Sequence, residues 1–319
     1  MLEHLLLPLD GSALAERVLP HAVSLTKAFG SKLTLLRVVS QAEESNHAGF
    51  VNPMDWQMRK TEAESYLKSV QNRLGEVNII SQIEIIEGKP AQQIIEYAQK
   101  HDVQLIVMSS HGSSGVSEWN INSTVQKVLF RAQMPVMIIR AYQETPEALQ
   151  GLTYQNLLLP LDGSTRAECT LPLAESIAEA QNSKVFLVNI VEEPHLPSQT
   201  PLDGEEQAVI DRLVEISKKE SDNYLQQLKE HVNIDRIETI VDCSHKPTST
   251  LHEIVNRENI DLVLMSAHGF SGDNHWPYGK FSLNFIAFGT TPLIIIQDLS
   301  KEEFGKSVAE LYAEQSKGH

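Results

Sequence analysis

The sequence predicts an α/β protein built as two tandem copies of one five-stranded, parallel, open-sheet domain. Three observations predict it: a long internal duplication, short continuous apolar runs, and helical patterns lying between those runs. Leu6-Leu7-Pro8-Leu9-Asp10-Gly11-Ser12 returns as Leu158-Leu159-Pro160-Leu161-Asp162-Gly163-Ser164, and Leu19-Pro20 returns at the same offset as Leu171-Pro172. Val107-Met108-Ser109-Ser110-His111-Gly112 returns as Leu264-Met265-Ser266-Ala267-His268-Gly269. Lys89-Pro90 returns as Lys246-Pro247 and Pro135 as Pro292, and these later pairs share a slightly longer offset. An insertion therefore lies between the second strand of the second copy and Lys246. A period of about half the chain marks two copies of a domain, because solenoid repeats run only about 20–50 residues. The length of 319 residues agrees, at about 150 residues per domain.

In the first copy the runs 5–9, 33–39, 79–86, 105–108 and 136–139 read as strands. They are short, nearly continuous and rich in branched residues, as strands covered on both faces must be. A helix is expected over 13–29, after Ser12 as its cap. Ala63, Tyr66, Leu67, Val70 and Leu74 stand at three-to-four spacing and mark a second helix. Pro90 opens a third over 90–100, since proline suits a first helical turn. A fourth is expected over 123–132. The second copy repeats the strands at 157–161, 184–191, 234–241, 262–265 and 293–297. Strand–helix alternation implies a parallel sheet with right-handed crossovers. The domains are expected at 1–140 and 154–298, joined by a linker over 141–153 and followed by a helical tail over 299–319. In that tail Phe304, Val308, Leu311 and Tyr312 fall at helical spacing.

Lys and Arg total 26 against 42 Asp and Glu, a formal net charge of −16. That balance argues against nucleic acid or an anionic membrane as the main partner, because either needs a basic face. No apolar run approaches the ~20 residues that span a bilayer. The N-terminus has no basic region ahead of an apolar stretch, so no signal peptide is expected and the expected location is cytoplasmic. The two cysteines, Cys169 and Cys243, suit a reducing compartment and read as unpaired small side chains.

Open parallel sheets bind ligands beyond the carboxyl ends of their strands, where strand order reverses. Each copy places polar, glycine-bearing loops there: 8–12 after the first strand and 108–115 after the fourth, with their repeats. Small residues let backbone N–H groups approach phosphate oxygens, and a helix N-terminus adds partial positive charge. The loops 41–54 and 192–204 leave the same edge.

These motifs together give a chain that resembles a tandem universal stress protein, with two UspA-like domains of HUP or Rossmann-like fold. The carriers are the LLLPLDGS start of each copy, the Met-Ser-Ser-His-Gly and Met-Ser-Ala-His-Gly segments, and the final strands that follow Pro135 and Pro292. In ATP-binding members the phosphate loop reads Gly, two residues, Gly, nine residues, Gly, then Ser or Thr. Here Ser109 stands at the first glycine, Gly112 at the second, Asn122 at the third, and Ser123 at the hydroxyl position. In the second copy the same places hold Ser266, Gly269, Gly279 and Lys280. Spacing is kept twice, and the chemistry is half kept twice. Asn tolerates left-handed backbone better than other non-glycine residues, so Asn122 is expected to keep the turn while crowding the phosphates. Lys280 either reaches a phosphate as a point charge or projects into solvent. The resemblance places adenosine against Pro8, Asp10, Val38 and Met108 in one copy, and against Pro160, Asp162, Ile190 and Met265 in the other. An apolar slot with a carboxylate at its edge suits a base and a ribose hydroxyl.

The resemblance implies ATP, with or without Mg²⁺, or another adenine nucleotide as ligand, in a stress-response module without strong catalysis. The alternative is a UspA-like dimerisation scaffold with degenerate phosphate loops. No Walker sequence, no Ser/His/Asp set and no paired carboxylates beside the phosphate loop point to an enzyme, which leaves slow ATP hydrolysis at most. Asp10 and Asp162 also read as plain turn residues, and Val38, Ile190, Met108 and Met265 as core. His111 and His268 read as loop histidines bonded to backbone, and Trp119 and Trp276 as loop packing. An exposed final strand invites edge pairing. In the family it resembles, final strands pair across domains or subunits, so the strands at 135–139 and 293–297 are expected near each other, making the chain a pseudo-twofold dimer, and a homodimer of chains is expected as well.

Overall fold

A computed structural model describes residues 2–40, 53–112, 121–142, 148–194, 204–269 and 278–298. The expected tail helix, both long loops, Trp119 and Trp276 lie outside the described residues, apart from loop ends such as Glu192. The chain divides into two compact units. One comprises residues up to Thr153 together with Ile286–Gln297, and the other comprises Tyr154–Phe285 together with Asp298.

The first unit alternates β1 (His4–Pro8), α1 (Leu19–Phe29), β2 (Lys32–Val39), α2 (Pro53–Glu76), β3 (Ser81–Glu87), α3 (Pro90–Lys100), β4 (Leu105–Ser109), α4 (Ser123–Leu129) and β5 (Val136–Ile139). Its parallel strands lie in the order β3-β2-β1-β4-β5. Strand order reverses at β1, between β2 and β4. Leu5, Leu6, Leu7, Leu105, Ile106 and Val107 are wholly buried, which is why these strands read as unbroken apolar runs.

The second unit repeats the pattern with β6 (Asn156–Pro160), α5 (Leu171–Gln181), β7 (Lys184–Glu192), α6 (Gly204–His231), β8 (Ile237–Ser244), α7 (Pro247–Arg257), β9 (Leu262–Ser266) and α8, which starts at Lys280 and ends at Phe288. Its strands lie β9-β6-β7-β8. The second copy's final strand, β10 (Leu293–Ile296), clusters with the first unit and runs antiparallel to β5. Its register is Leu293↔Ile138, Ile294↔Met137 and Ile295↔Val136. The two final strands thus pair, as edge strands of continuous apolar sequence should.

Several boundaries differ from expectation, among them the end of α4, which stops at Leu129. The helix expected from residue 13 begins as a 3₁₀ turn, Ala15–Val18, and becomes α-helical only at Leu19, where Pro20 occupies the first turn. Leu14 stands at the cap position of that turn, and Ser12 Oγ, two residues earlier, accepts from Ala15 N at 3.1 Å. The strand expected from residue 79 starts at Ser81, because Asn78 takes a left-handed φ of 62° and Ile80 is 90% exposed. In the second copy the third strand begins at Ile237 instead of 234.

Candidate functional site

In the first unit the loops after β1 and β4 face each other across the strand-order reversal. A cavity of about 250 Å³ lies between them. Pro8, Asp10, Val38, Met108, Ser109, Gly112, Asn122 and Ser123 all line it. The second unit holds a cavity of about 230 Å³ lined by Pro160, Asp162, Ile190, Met265, Ser266, Gly269, Gly279 and Lys280. The structure therefore gathers every residue of each expected set around one opening, separately in each unit.

The aspartates serve the turn and the wall together. Asp10 Oδ1 accepts from Ser12 N at 3.0 Å and from Ser12 Oγ at 2.6 Å. Asp162 does the same with Ser164, at the same distances. Gly11 and Gly163 make the bend possible with φ of 85° and 84°. The other carboxylate oxygen lies against the next loop. A Cβ on Gly112 would sit 2.0 Å from Asp10 Oδ2, and one on Gly269 would sit 2.1 Å from Asp162 Oδ2. The second glycine of the loop is thus required by the aspartate of the first loop. Met108 and Met265 are buried strand ends that also floor the cavities, so the core and pocket readings of these residues are compatible.

The third loop position differs between units. Asn122 has a φ of −78° and ψ of 165°, an extended backbone, so left-handed tolerance is not why asparagine stands there. Its side chain is the N-cap of α4, with Oδ1 accepting from Val125 N at 2.8 Å. Its own N–H donates to Ser110 O at 2.8 Å, and Gly279 N donates to Ala267 O at the same distance. The two units therefore share this main-chain bond, and the first adds a side chain at the position.

The first loop position differs as well. Ser266 Oγ donates to the His268 carbonyl, whereas Ser109 Oγ is buried without a partner among the described residues. Arg37 and Asn189 were missed by sequence reasoning. Arg37 donates to Leu9 O at 3.2 Å, and Asn189 donates to Leu161 O at 2.7 Å. Both line the cavities, and Arg37 also borders a neighbouring space of about 440 Å³ with Arg59, Glu62 and Tyr66. Their common position, one residue before Val38 and Ile190, was the available signal.

His111 and His268 are buried wall residues with side-chain partners. His111 Nδ1 lies 3.0 Å from Ser110 Oγ, and its ring packs on Tyr142. His268 Nδ1 lies 2.8 Å from Asp298 Oδ1, and Arg166 Nε lies 3.5 Å from the other oxygen. Asp298 is a residue of the strand-end segment that no local motif announces. Both cysteines are free. Burial, then the Asp298 charge, pushes the Cys169 thiol up to about 12, which keeps it protonated and a poor nucleophile. Burial and then Glu193 raise Cys243 as well. Among the described residues no group of three or more His, Cys, Asp or Glu is placed to hold a metal ion, and no helix is long and apolar enough to cross a membrane.

The fold and the paired openings define a duplicated open-sheet α/β protein with one ligand-sized cleft at each strand-order reversal. A family model described as the universal stress protein family matches residues 1–140 and 153–297, and the chain belongs to that family. A universal stress protein of Methanocaldococcus jannaschii is 28% identical over 140 residues, which is 43% of this chain and 81% of that one. One from Bacillus subtilis is 28% identical over 149 residues, covering 44% of this chain and all of its own length. Relatives of this size match one copy at a time. Among solved structures, a universal stress protein from Archaeoglobus fulgidus superposes with a TM-score of 0.65 at 17% identity, covering 93% of this chain and 98% of its own. That likeness extends the same fold across both copies.

Proposed function

We propose that the protein binds ATP or a related adenine nucleotide and acts as a cytoplasmic stress-response module that is not a strong catalyst. The observation that carries this reading is the convergence of each eight-residue set on one cleft, with a carboxylate at its edge and a glycine kept small by that carboxylate. A bound nucleotide would order the loop after β4 or β9 and favour one conformation that partners read. The chain self-associates as a homodimer in this reading. Equilibrium dialysis and thermal-shift titration with ATP and Mg²⁺ test it. Binding in the micromolar to millimolar range with a rise in Tm is expected, and no binding and no shift at millimolar ATP would reject it.

One observation favours the second reading, a UspA-like scaffold without nucleotide. The Asn122 side chain already satisfies an α4 amide that a phosphate would otherwise use. In that reading the protein dimerises with both clefts empty of nucleotide. A phosphate-release assay separates either reading from an ATPase, since both expect only the background rate.

A further inference from the structure

We infer that the two clefts are not duplicates: the second unit holds a polyphosphate chain, whereas in the first the Asn122 side chain stands in for its terminal phosphate. This rests on the nucleotide reading and assigns the polyphosphate to one unit. The first observation is the cap itself. Asn122 Oδ1 lies 2.8 Å from Val125 N, so the third amide of α4 is already used by the chain. At the matching place in the second unit, Gly279 has no side chain, and a Cβ there would meet nothing nearer than Ala267 O at 3.6 Å. The cleft can thus accept an anion where the first unit has an amide oxygen.

The second observation is electrostatic. Lys280 is the first residue of the nine-residue α8, lines the cleft, and has no acidic residue beside it in the first turn. A helix N-terminus favours negative charge, so a lysine there is of the wrong sign for the helix alone. A polyanion between the lysine and the α8 amides reverses that sign. The third observation is how the β4 and β9 loops end. Ser266 Oγ is spent on the His268 carbonyl, which leaves Lys280 and backbone amides as donors of the second cleft. Ser109 Oγ is buried in the first cleft with no partner among the described residues, so the hydroxyl at this position differs between the two units. Arg37 lines the first cleft as well; its Nη1 donates to Leu9 O at 3.2 Å and its guanidinium lies against the Gly11 turn of the β1 loop, with its charge retained.

The test is calorimetric titration of the full chain with ATP in excess Mg²⁺, reading stoichiometry as well as affinity. The native protein is expected to bind one ATP per chain. Gly279→Asn, whose Cβ would make only ordinary van der Waals contacts with the backbone of 267–269, should weaken that binding at least tenfold. Asn122→Gly should raise the stoichiometry toward two. Circular dichroism melting checks that each variant is folded. Gly269→Ala is a second, independent way to close the same cleft, through its clash with Asp162, and should also abolish the native site. Two ATP per chain in the native protein, or a single site that survives Gly279→Asn and Gly269→Ala, would overturn the inference while leaving nucleotide binding intact. No ATP bound by any form would instead remove the nucleotide reading, and this inference with it.

Discussion

Asn182 stands where the first copy has Gly30, and its φ of 55° is left-handed, as the glycine's is at 64°. Both residues end their helix, α1 or α5, in the same way. Asn122 also replaces a glycine of the family pattern, yet its φ is −78° and its side chain caps a helix. One residue type thus serves backbone freedom at one site and a hydrogen bond at another, and sequence alone cannot separate the two uses. Removing the cap tests the second. Asn122→Ala should cost about 1 kcal/mol, the usual value for a lost N-cap, seen as a lower Tm with unchanged secondary structure. A second residue-scale prediction concerns pH. Burial holds the His21 imidazole down to about 4 from an ordinary value of 6.5. The unfolded chain therefore binds the extra proton between those values, so this stability is complete above about pH 6.5 and lost as pH falls toward 4. The shift corresponds to about 3 kcal/mol. Asp261 works in the opposite direction, because burial raises it to about 6 and its contribution fades as pH rises from 3.8 to about 6. The His21 effect should accordingly be read as the difference between native protein and His21→Leu in urea melts at pH 4.5 and 7.5. Equal differences at the two pH values would contradict it.

At the scale of elements, most of the strands were legible because full burial leaves no polar face to interrupt the pattern. Pro90–Lys100 and Val136–Ile139 fall where periodicity and proline placed them. The start of α1 was not legible, since a 3₁₀ turn and an α-helix share the same apolar spacing over so few residues. The ends of β3 were blurred by Ile79 and Ile80, which look alike in sequence although one is buried and the other 90% exposed. The pairing of β10 with β5 is a long-range fact anticipated by the resemblance to the family and by a general argument about edges, and by no local motif. Ile294 is wholly buried and registers with Met137. Ile294→Asp would bury an unpaired carboxylate and remove a core side chain, each worth several kcal/mol. The variant should lose cooperative unfolding of the first unit, measured by urea denaturation and amide exchange of β5. Ile294→Val, a change of one methylene, should cost only about 1 kcal/mol.

For the whole molecule, the duplication is the organising fact. Two copies inherit the same Asp-Gly turn, the same aspartate–glycine approach and the same main-chain bond at the third loop position. They diverge in side chains that local sequence displays but does not interpret. A formal charge of −16 keeps chains apart at long range, so self-association needs a specific interface. Light scattering across a range of concentrations should nevertheless give twice the chain mass, with the dimer fraction rising as salt screens the repulsion. A constant single-chain mass would set the homodimer aside. The sequence by itself determined the repeat and the alternation of strands and helices, which follow from periodicity along the chain, whereas the sixteen cleft residues follow from the resemblance to the family's pattern. Tertiary structure alone decided that Asn122 is a cap, that Asp298 is the partner of His268, and that Asp10 forbids a side chain at Gly112. Each of those depends on atoms brought within about 3 Å of one another, a separation that position along the chain does not encode.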